Sequence, residues 1–304
     1  MTNDKTPKTE TVNAAKVRVA ESGGKSRVSI CSGTACVFAG SMAVYDAFVE
    51  EVKAAGISDR VEVSIIGCHG LCSQGPIAVV TPEDTYYPKL KPDQVAKVVT
   101  EHLVGGVVVE KLLYKHPQTK QRVRDYKEID FYKHQQRIAL RDVGVINPER
   151  IEEYIARGGY ESARMVLLEK TPTWVIEEVT ASGIRGRGGA GFPTGVKWKF
   201  ANASPGDVKY FICNGDEGDP GAFMDASIMD GDPHAVLEGM IIGAFAIGAR
   251  EGYIYVRAEY PLAVRRLKLA IAAAEKKGFL QEHLRQRVVV RPAHQGGRRR
   301  LRVW

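Results

Sequence analysis

Four cysteines fall in two pairs, Cys31 and Cys36 in CSGTAC and Cys68 and Cys72 in GCHGLC, with four residues inside the first pair and three inside the second. Each pair follows a short apolar run that reads as a strand, so both can reach one end of a sheet. Thiolates from two loops are what a [2Fe–2S] rhomb takes, two per iron. The glycines beside them let backbone N–H groups approach the sulfurs, where hydrogen bonds tune potential. A structural zinc site and four unrelated buried thiols are the other readings. Zinc ribbons use C-x2-C pairs, a spacing absent here, and unrelated thiols have no reason to pair in glycine-rich loops. His69, between two of these cysteines, is expected to face solvent, and the lone Cys213 to serve packing.

A second stretch, SGIRGRGGAGFPTGVKW, places six glycines beside Arg185, Arg187 and Lys197. Gly186, Gly188 and Gly191 satisfy G-x-G-x-x-G, a fingerprint that requires a strand before it and a helix after it. The preceding WVIEEVTASG has a helical pattern, and Phe192–Pro193 is expected to keep a helix from starting. No G-K-[ST] is present, so the stretch is no Walker A loop either. What remains is a loop whose glycines, Gly189 among them, expose N–H groups with cationic support: an anion-binding nest. Phe192 and Phe200 add flat faces, while Trp198 is expected in the core. A flexible turn is the bland alternative, but six glycines cost it much chain entropy. Downstream, CNGDEGDPGAFMD sets Asn214, Asp216, Glu217 and Asp219 just after a strand. The order of a calcium loop is missing. The set suits hydroxyls and ring nitrogens of a flavin or nicotinamide ribose, with a solvated acidic turn as the alternative.

The elements that must position these residues alternate from Arg27 onward. VSI, VEVSIIG and IAVVT read as strands and YYPKL as a fourth; SMAVYDAFVEEVKAAG and PDQVAKVVTEHL read as helices. Further on, KYFICNG and GYIYVRAEY are strands, each followed by a helix with proline in its first turn, an alternation that predicts a parallel sheet. The expected organisation is a disordered N-terminus over 1–26, a first α/β domain over 27–106 and a polar linker over 107–145. A second α/β domain over 146–280 and a basic tail over 281–304 complete it. Net charge is +7, and the tail carries seven arginines against one glutamate, so basicity belongs to the tail and nucleic acid is not expected as a partner. No secretory signal is visible in MTNDKTPKTETVNAAK, and AVLEGMIIGAFAIGA is too short to span a bilayer. Five cysteines without a signal point to a reducing compartment, hence the cytoplasm.

The first domain, with its four-cysteine spacing, resembles the thioredoxin-like [2Fe–2S] ferredoxins found beside the NADH-oxidising subunit of complex I. From Phe131 to Gly278 the chain closely resembles the NADH-binding flavoprotein subunit of complex I and its relatives. That resemblance rests on RGRGGAGFPTGVKW and CNGDEGDPGAFMD, with FYKHQQRIALRDVGVINPERIEEYIARGGY and GYIYVRAEYPLAV in support. Together the layout is similar to the diaphorase subunits of NAD(P)-reducing hydrogenases and NAD-dependent formate dehydrogenases. The resemblance implies a thioredoxin-like domain followed by an incomplete Rossmann-like FMN-binding domain. It also implies NAD(P)H as electron donor and, as partners, the redox subunits of a hydrogenase, formate dehydrogenase or complex I type assembly. By the same resemblance Cys31, Cys36, Cys68 and Cys72 hold the [2Fe–2S] cluster. Gly186, Arg187, Gly188, Gly189, Gly191 and Lys197 approach FMN phosphate and nicotinamide, and Phe192 and Phe200 stack near the nucleotide. Asn214, Asp216 and Glu217 hold FMN, and Asp219 lies on the NADH side. The expected function is relay of electrons from NAD(P)H through FMN to iron–sulfur clusters, with no acid–base catalytic residue. A non-enzymatic [2Fe–2S] carrier with a defective flavin domain is the alternative. The resemblance is expected to end after Gly278, where the family continues with G-A-G-A-[FY]-V-C-G-E-E-T and, later, four cysteines for a [4Fe–4S] cluster, none of them present here. Synonymous codons for Gly297–Trp304, read one nucleotide later, spell G-A-G-A-F-V-C, so the tail is expected to be an out-of-frame reading.

Overall fold

The computed structural model describes residues 25–280 except Pro220, together with the backbone of 285–291 and 302–303. The expected disorder of the N-terminus concerns residues that, up to 24, lie outside this description; Ser26 already begins a strand. The chain divides into two compact units, Met1–Asn147 and Pro148–Trp304.

In the first unit β1 (Ser26–Cys31), α1 (Thr34–Phe38), α2 (Ser41–Ala54), β2 (Val61–Ile66), β3 (Ala78–Thr81), β4 (Thr85–Tyr87) and α3 (Pro92–Lys97) follow in order. The sheet runs β2-β1-β3-β4, with β1 parallel to β2 and antiparallel to β3. Helix α2 turns Val44, Phe48 and Val52, four residues apart, onto Val28 and Ile30 of β1, because that spacing lines one helical face. Gly56 ends the helix region in the left-handed conformation that glycine adopts without a Cβ penalty. The predicted strands and helices of this domain are all present, with the fourth strand at Thr85–Tyr87.

The expected linker is not one. Residues 107–145 form the small hairpin β5 (Tyr114–Lys115) and β6 (Arg122–Val123) and the single turn α4 (Asp130–Lys133). Val109 and Leu113 are buried with the α2 core, and Ile129 and Tyr132 are buried with Cys31 and Cys36. A handful of apolar side chains anchors a stretch whose Lys- and Gln-rich remainder conceals them from a reading of composition.

The second unit opens with three helices, α5 (Ile151–Ala156), α6 (Glu161–Glu169) and α7 (Pro172–Ala181), followed by α8 (Thr194–Ala203). Then come β7 (Tyr210–Gly215), α9 (Met224–Gly231), α10 (Pro233–Ile247), β8 (Glu251–Arg257), α11 (Pro261–Lys276), β9 (Arg285–Arg291) and β10 (Arg302–Val303). Strands β7 and β8 are parallel, as predicted; β9, not predicted, adds parallel to β8, and β10 is antiparallel to β9. Helix α10 is the apolar run of the sequence, held at its start by the Asp232 carboxylate, which accepts from the Ala235 N–H at 3.1 Å. The tail, expected to lack any pattern, supplies β9, in register with β8 from Glu251 opposite Arg285 to Arg257 opposite Arg291. Its consecutive valines, Val288 to Val290, are residues that favour a strand. The rest of the tail lies outside the described residues.

Candidate functional site

β1 ends on Cys31, α1 carries Cys36, Cys68 follows β2, and Cys72 opens a single 3-10 turn, Cys72–Gln74. Parallel pairing of β1 and β2 brings the two loops to one sheet end. The Cys68 and Cys72 sulfurs are 3.8 Å apart. Hydrogen bonding with Cys31 holds the Cys36 thiol down and the Cys68 thiol down to about 2, while the same crowding pushes Cys31 and Cys72 up. Thiols close enough to share protons are close enough to share a metal centre, which displaces those protons. Glycine is required at two places around them. A Cβ on Gly33 would sit 2.8 Å from the Cys68 Cβ, and one on Gly75 would sit 2.8 Å from the Cys36 sulfur.

His69 does not face solvent. It is buried, its ring Nδ1 lies 2.7 Å from the Tyr132 hydroxyl, and its backbone N–H donates to the Cys31 sulfur at 3.4 Å. Burial holds its imidazole down to about 4, so the ring is neutral at physiological pH. The rings of Tyr86, Tyr126 and Tyr132 surround it at centroid distances of 5.6, 4.8 and 5.0 Å. Spacing alone assigns no role to these tyrosines; the signal is the density of aromatics in DTYYPK and DYKEIDFYK.

In the second unit the glycine loop closes on itself. Gly186 N–H donates to the Phe192 carbonyl at 2.9 Å, Thr194 N–H to the Ile184 carbonyl at 3.0 Å, and Arg185 to the Gly191 carbonyl at 3.1 Å. Gly189 and Gly191 have positive φ, 104° and 61°, which calls for glycine. At Gly188 the φ is ordinary and an added Cβ would meet nothing within 4 Å; at Gly186 it would meet only ordinary contact. Nothing in the chain's own packing therefore calls for glycine at those two positions. A helix does follow the loop, contrary to expectation: Pro193, at φ −60°, is the N-cap of α8 instead of a block to it. The element before the loop is helix α7, so the strand that the dinucleotide fingerprint needs is still missing. Arg187, Lys197, Phe192 and Phe200 are exposed, and Trp198, expected in the core, is half-buried against it and packs edge-on against the half-buried Phe211.

The acidic loop leaves the carboxyl end of β7. Asn214 accepts from the Asp216 N–H at 3.0 Å, and Asp219 lies in the exposed turn beyond. Glu217 is buried, and both its oxygens are taken by the start of α9: Oε1 accepts from Asp225 N–H and Oε2 from Ala226 N–H, each at 3.0 Å. Arg257 donates to the Glu217 carbonyl. The connection from β7 to its parallel neighbour β8 runs α10 back along the sheet, and Asn202, late in α8, donates to the Ala246 carbonyl late in α10 at 2.9 Å. The acidic loop begins at the carboxyl end of parallel strand β7, the edge at which open parallel sheets bind ligands.

Residues 19–102 match the family of thioredoxin-like [2Fe–2S] ferredoxins, and residues 179–297 match the Nuo51 FMN-binding domain. The chain thus carries one segment similar to each family. Among curated relatives, the NADP-reducing hydrogenase subunit HndC of Solidesulfovibrio fructosivorans is 55% identical over 152 residues, half of this chain and 31% of that one. An NADH-quinone oxidoreductase subunit of Aquifex aeolicus is 52% identical over 134 residues, 44% of this chain and 31% of that one. The chain thus spans about a third of the length of these relatives. Among solved structures, the thioredoxin-like [2Fe–2S] ferredoxin of Aquifex aeolicus is 30% identical, covers 29% of this chain and 94% of its own, and has a TM-score of 0.27. An air-oxidised NAD+-reducing [NiFe]-hydrogenase chain is 23% identical, covers 88% and 42%, and has a TM-score of 0.41.

The Nuo51 match reaches residue 297, so the resemblance does not end after Gly278 as expected. In the ferredoxin segment the four thiols fit a two-iron cluster, with Cys68 pressed against Gly33 and Cys36 against Gly75, where there is no room for a Cβ. Among the described residues no group of three or more His, Cys, Asp or Glu side chains is arranged to hold a single metal ion; a [2Fe–2S] rhomb asks two protein thiolates of each iron. In the Nuo51 segment the residues present fit a phosphate-bearing flavin at the loop, through the N–H groups from Gly188 to Gly191, with a glycine at 188 that the fold does not otherwise need. No helix among the described residues is long and apolar enough to cross a membrane.

Proposed function

We propose that this chain is the electron-relaying part of an NAD(P)H:acceptor oxidoreductase, taking electrons from NAD(P)H at FMN and passing them to a [2Fe–2S] cluster. The observation that carries the reading is the union in one chain of four converging thiols and a nest whose Gly186 and Gly188 the fold itself does not require. When bound, FMN supplies the conversion of a two-electron hydride donor to one-electron carriers. Toward it, the loop N–H groups from Gly188 to Gly191, with Arg187 and Lys197, hold phosphate and position the nicotinamide, Gly186 closes the loop through its own N–H, and Phe192 and Phe200 offer faces for stacking. Asn214 and Asp216 are placed for flavin hydroxyls and ring nitrogens, and Asp219 for the nicotinamide side. Glu217 serves the same site indirectly, by fixing the start of α9. Cys31, Cys36, Cys68 and Cys72 hold the cluster. The natural partners are redox subunits of a hydrogenase, formate dehydrogenase or complex I type assembly, and five free thiols support a reducing location, the cytoplasm.

Visible and electron paramagnetic resonance (EPR) spectra of the anaerobically purified chain test this. Flavin and [2Fe–2S] absorption, both bleached by NADH or NADPH as the EPR signal of the reduced cluster appears, are expected. A cluster without flavin would leave a one-electron carrier, and a colourless zinc protein would overturn the reading.

A further inference from the structure

The segment over 107–145 lies between the two family-model matches, which end at 102 and begin at 179. It packs Ile129 and Tyr132 against Cys31 and Cys36, and it holds His69, next to Cys68, at two points. Tyr132 takes the ring, its hydroxyl 2.7 Å from Nδ1. Arg137 takes the peptide carbonyl, with Nη2 donating at 3.0 Å, and ties itself to the segment through Nη1 and the Val143 carbonyl at 3.3 Å. Its guanidinium also lies 5.7 Å from the centre of the Tyr132 ring. With ring and carbonyl both held, the backbone N–H of His69 is aimed at the Cys31 sulfur at 3.4 Å. Both Tyr132 and His69 are buried, so water does not compete for these bonds.

We propose that this segment is a cover which sets the reduction potential of the cluster, with Tyr132 and Arg137 as positioning residues acting through His69. The proposal rests on the reading of the four cysteines as [2Fe–2S] ligands. A reduced cluster carries one more negative charge, so an N–H donated to its sulfur and a fixed guanidinium beside it favour reduction. Their effect is strongest where water is excluded. The midpoint potential is accordingly higher with the cover in place than without its two anchors.

An EPR-monitored titration of the full chain with dithionite, one electron per cluster, reads this directly. Tyr132→Phe keeps the ring and removes the hydroxyl; Arg137→Gln removes the charge; Arg137→Lys keeps the charge and loses the planar fork. Tyr132→Phe and Arg137→Gln are expected to shift the midpoint to more negative potential at unchanged iron and sulfide content, with Arg137→Lys between Arg137→Gln and the parent. Lys133→Gln, an exposed neighbour on the same segment, leaves the potential in place because solvent screens its charge. Parent-like potentials in the Tyr132→Phe and Arg137→Gln variants at full cluster content overturn the proposal, as does an equal shift in Lys133→Gln. Absence of any [2Fe–2S] signal from the reconstituted parent chain overturns instead the reading of the four cysteines.

Discussion

At the scale of single residues, chemistry read from type alone separates from chemistry read from contacts. Glu217 has the composition of a ligand, yet its two oxygens hold the first N–H groups of α9. Glu217→Ala leaves two buried donors without a partner and is expected to lower the unfolding free energy by about 2 kcal/mol in urea, with Glu217→Gln losing about half of that. Weaker FMN binding at unchanged stability would instead mark it as a flavin ligand. His234 gives a pH dependence. It is buried beside the Tyr160 hydroxyl at 2.8 Å, and burial pushes its imidazole down to about 4. The folded chain therefore keeps it neutral while the unfolded chain takes up a proton below about 6.5, so stability is full above that pH and is lost as pH falls toward 4. Between pH 7 and 5 the loss is about 2 kcal/mol, from about 1.4 kcal/mol per pH unit. Urea melts at the two pH values measure it, and a His234→Gln chain with the same slope would sink the assignment. Neither role is legible in the sequence, because a carboxylate capping a helix and one holding a ligand have the same letter.

At the scale of elements, most strands and helices are legible because apolar period and proline or glycine punctuation survive in a single sequence; α2, α10 and the parallel β7 and β8 are of this kind. What the sequence hides is context. Pro193 reads as a block to a helix, but proline fits the start of one, and the anchors of the 107–145 segment are too sparse to show a period. Glycines in and after the loop divide sharply by their surroundings. A Cβ on Gly195 would fall 2.2 Å from the Thr180 hydroxyl and 2.6 Å from the Thr180 backbone nitrogen, where α7 and α8 meet. Gly195→Ala must push those helices apart, at a cost of about 1–3 kcal/mol. Gly188→Ala meets nothing and needs no special φ, so its melting temperature is expected to match the parent chain while FMN affinity falls at least tenfold. Parallel thermal melts and flavin titrations of the two variants decide it. Gly188→Ala with parent-like FMN binding would remove the loop from the site.

At the scale of the whole molecule, the two units have separate cores. Val28, Phe48 and Tyr87 belong to one buried cluster, Val166, Ile176 and Ala246 to another, and each lies within its own unit. Sites built on separate cores respond additively to substitution. Cys68→Ser removes one thiolate from the set that the first sheet assembles, so the [2Fe–2S] signal is expected to disappear. Flavin content, the thermal transition of the second unit and the bleaching of flavin by NAD(P)H should stay within error of the parent chain. The reciprocal substitution, Gly188→Ala, should leave the cluster signal under dithionite intact while lowering the fraction of cluster reduced by NAD(P)H. That pair of results assigns donor oxidation to the second unit and one-electron storage to the first. A Cys68→Ser chain that loses its flavin along with its cluster would show that the two cofactors stand or fall together, and the relay would then have to be treated as a single site.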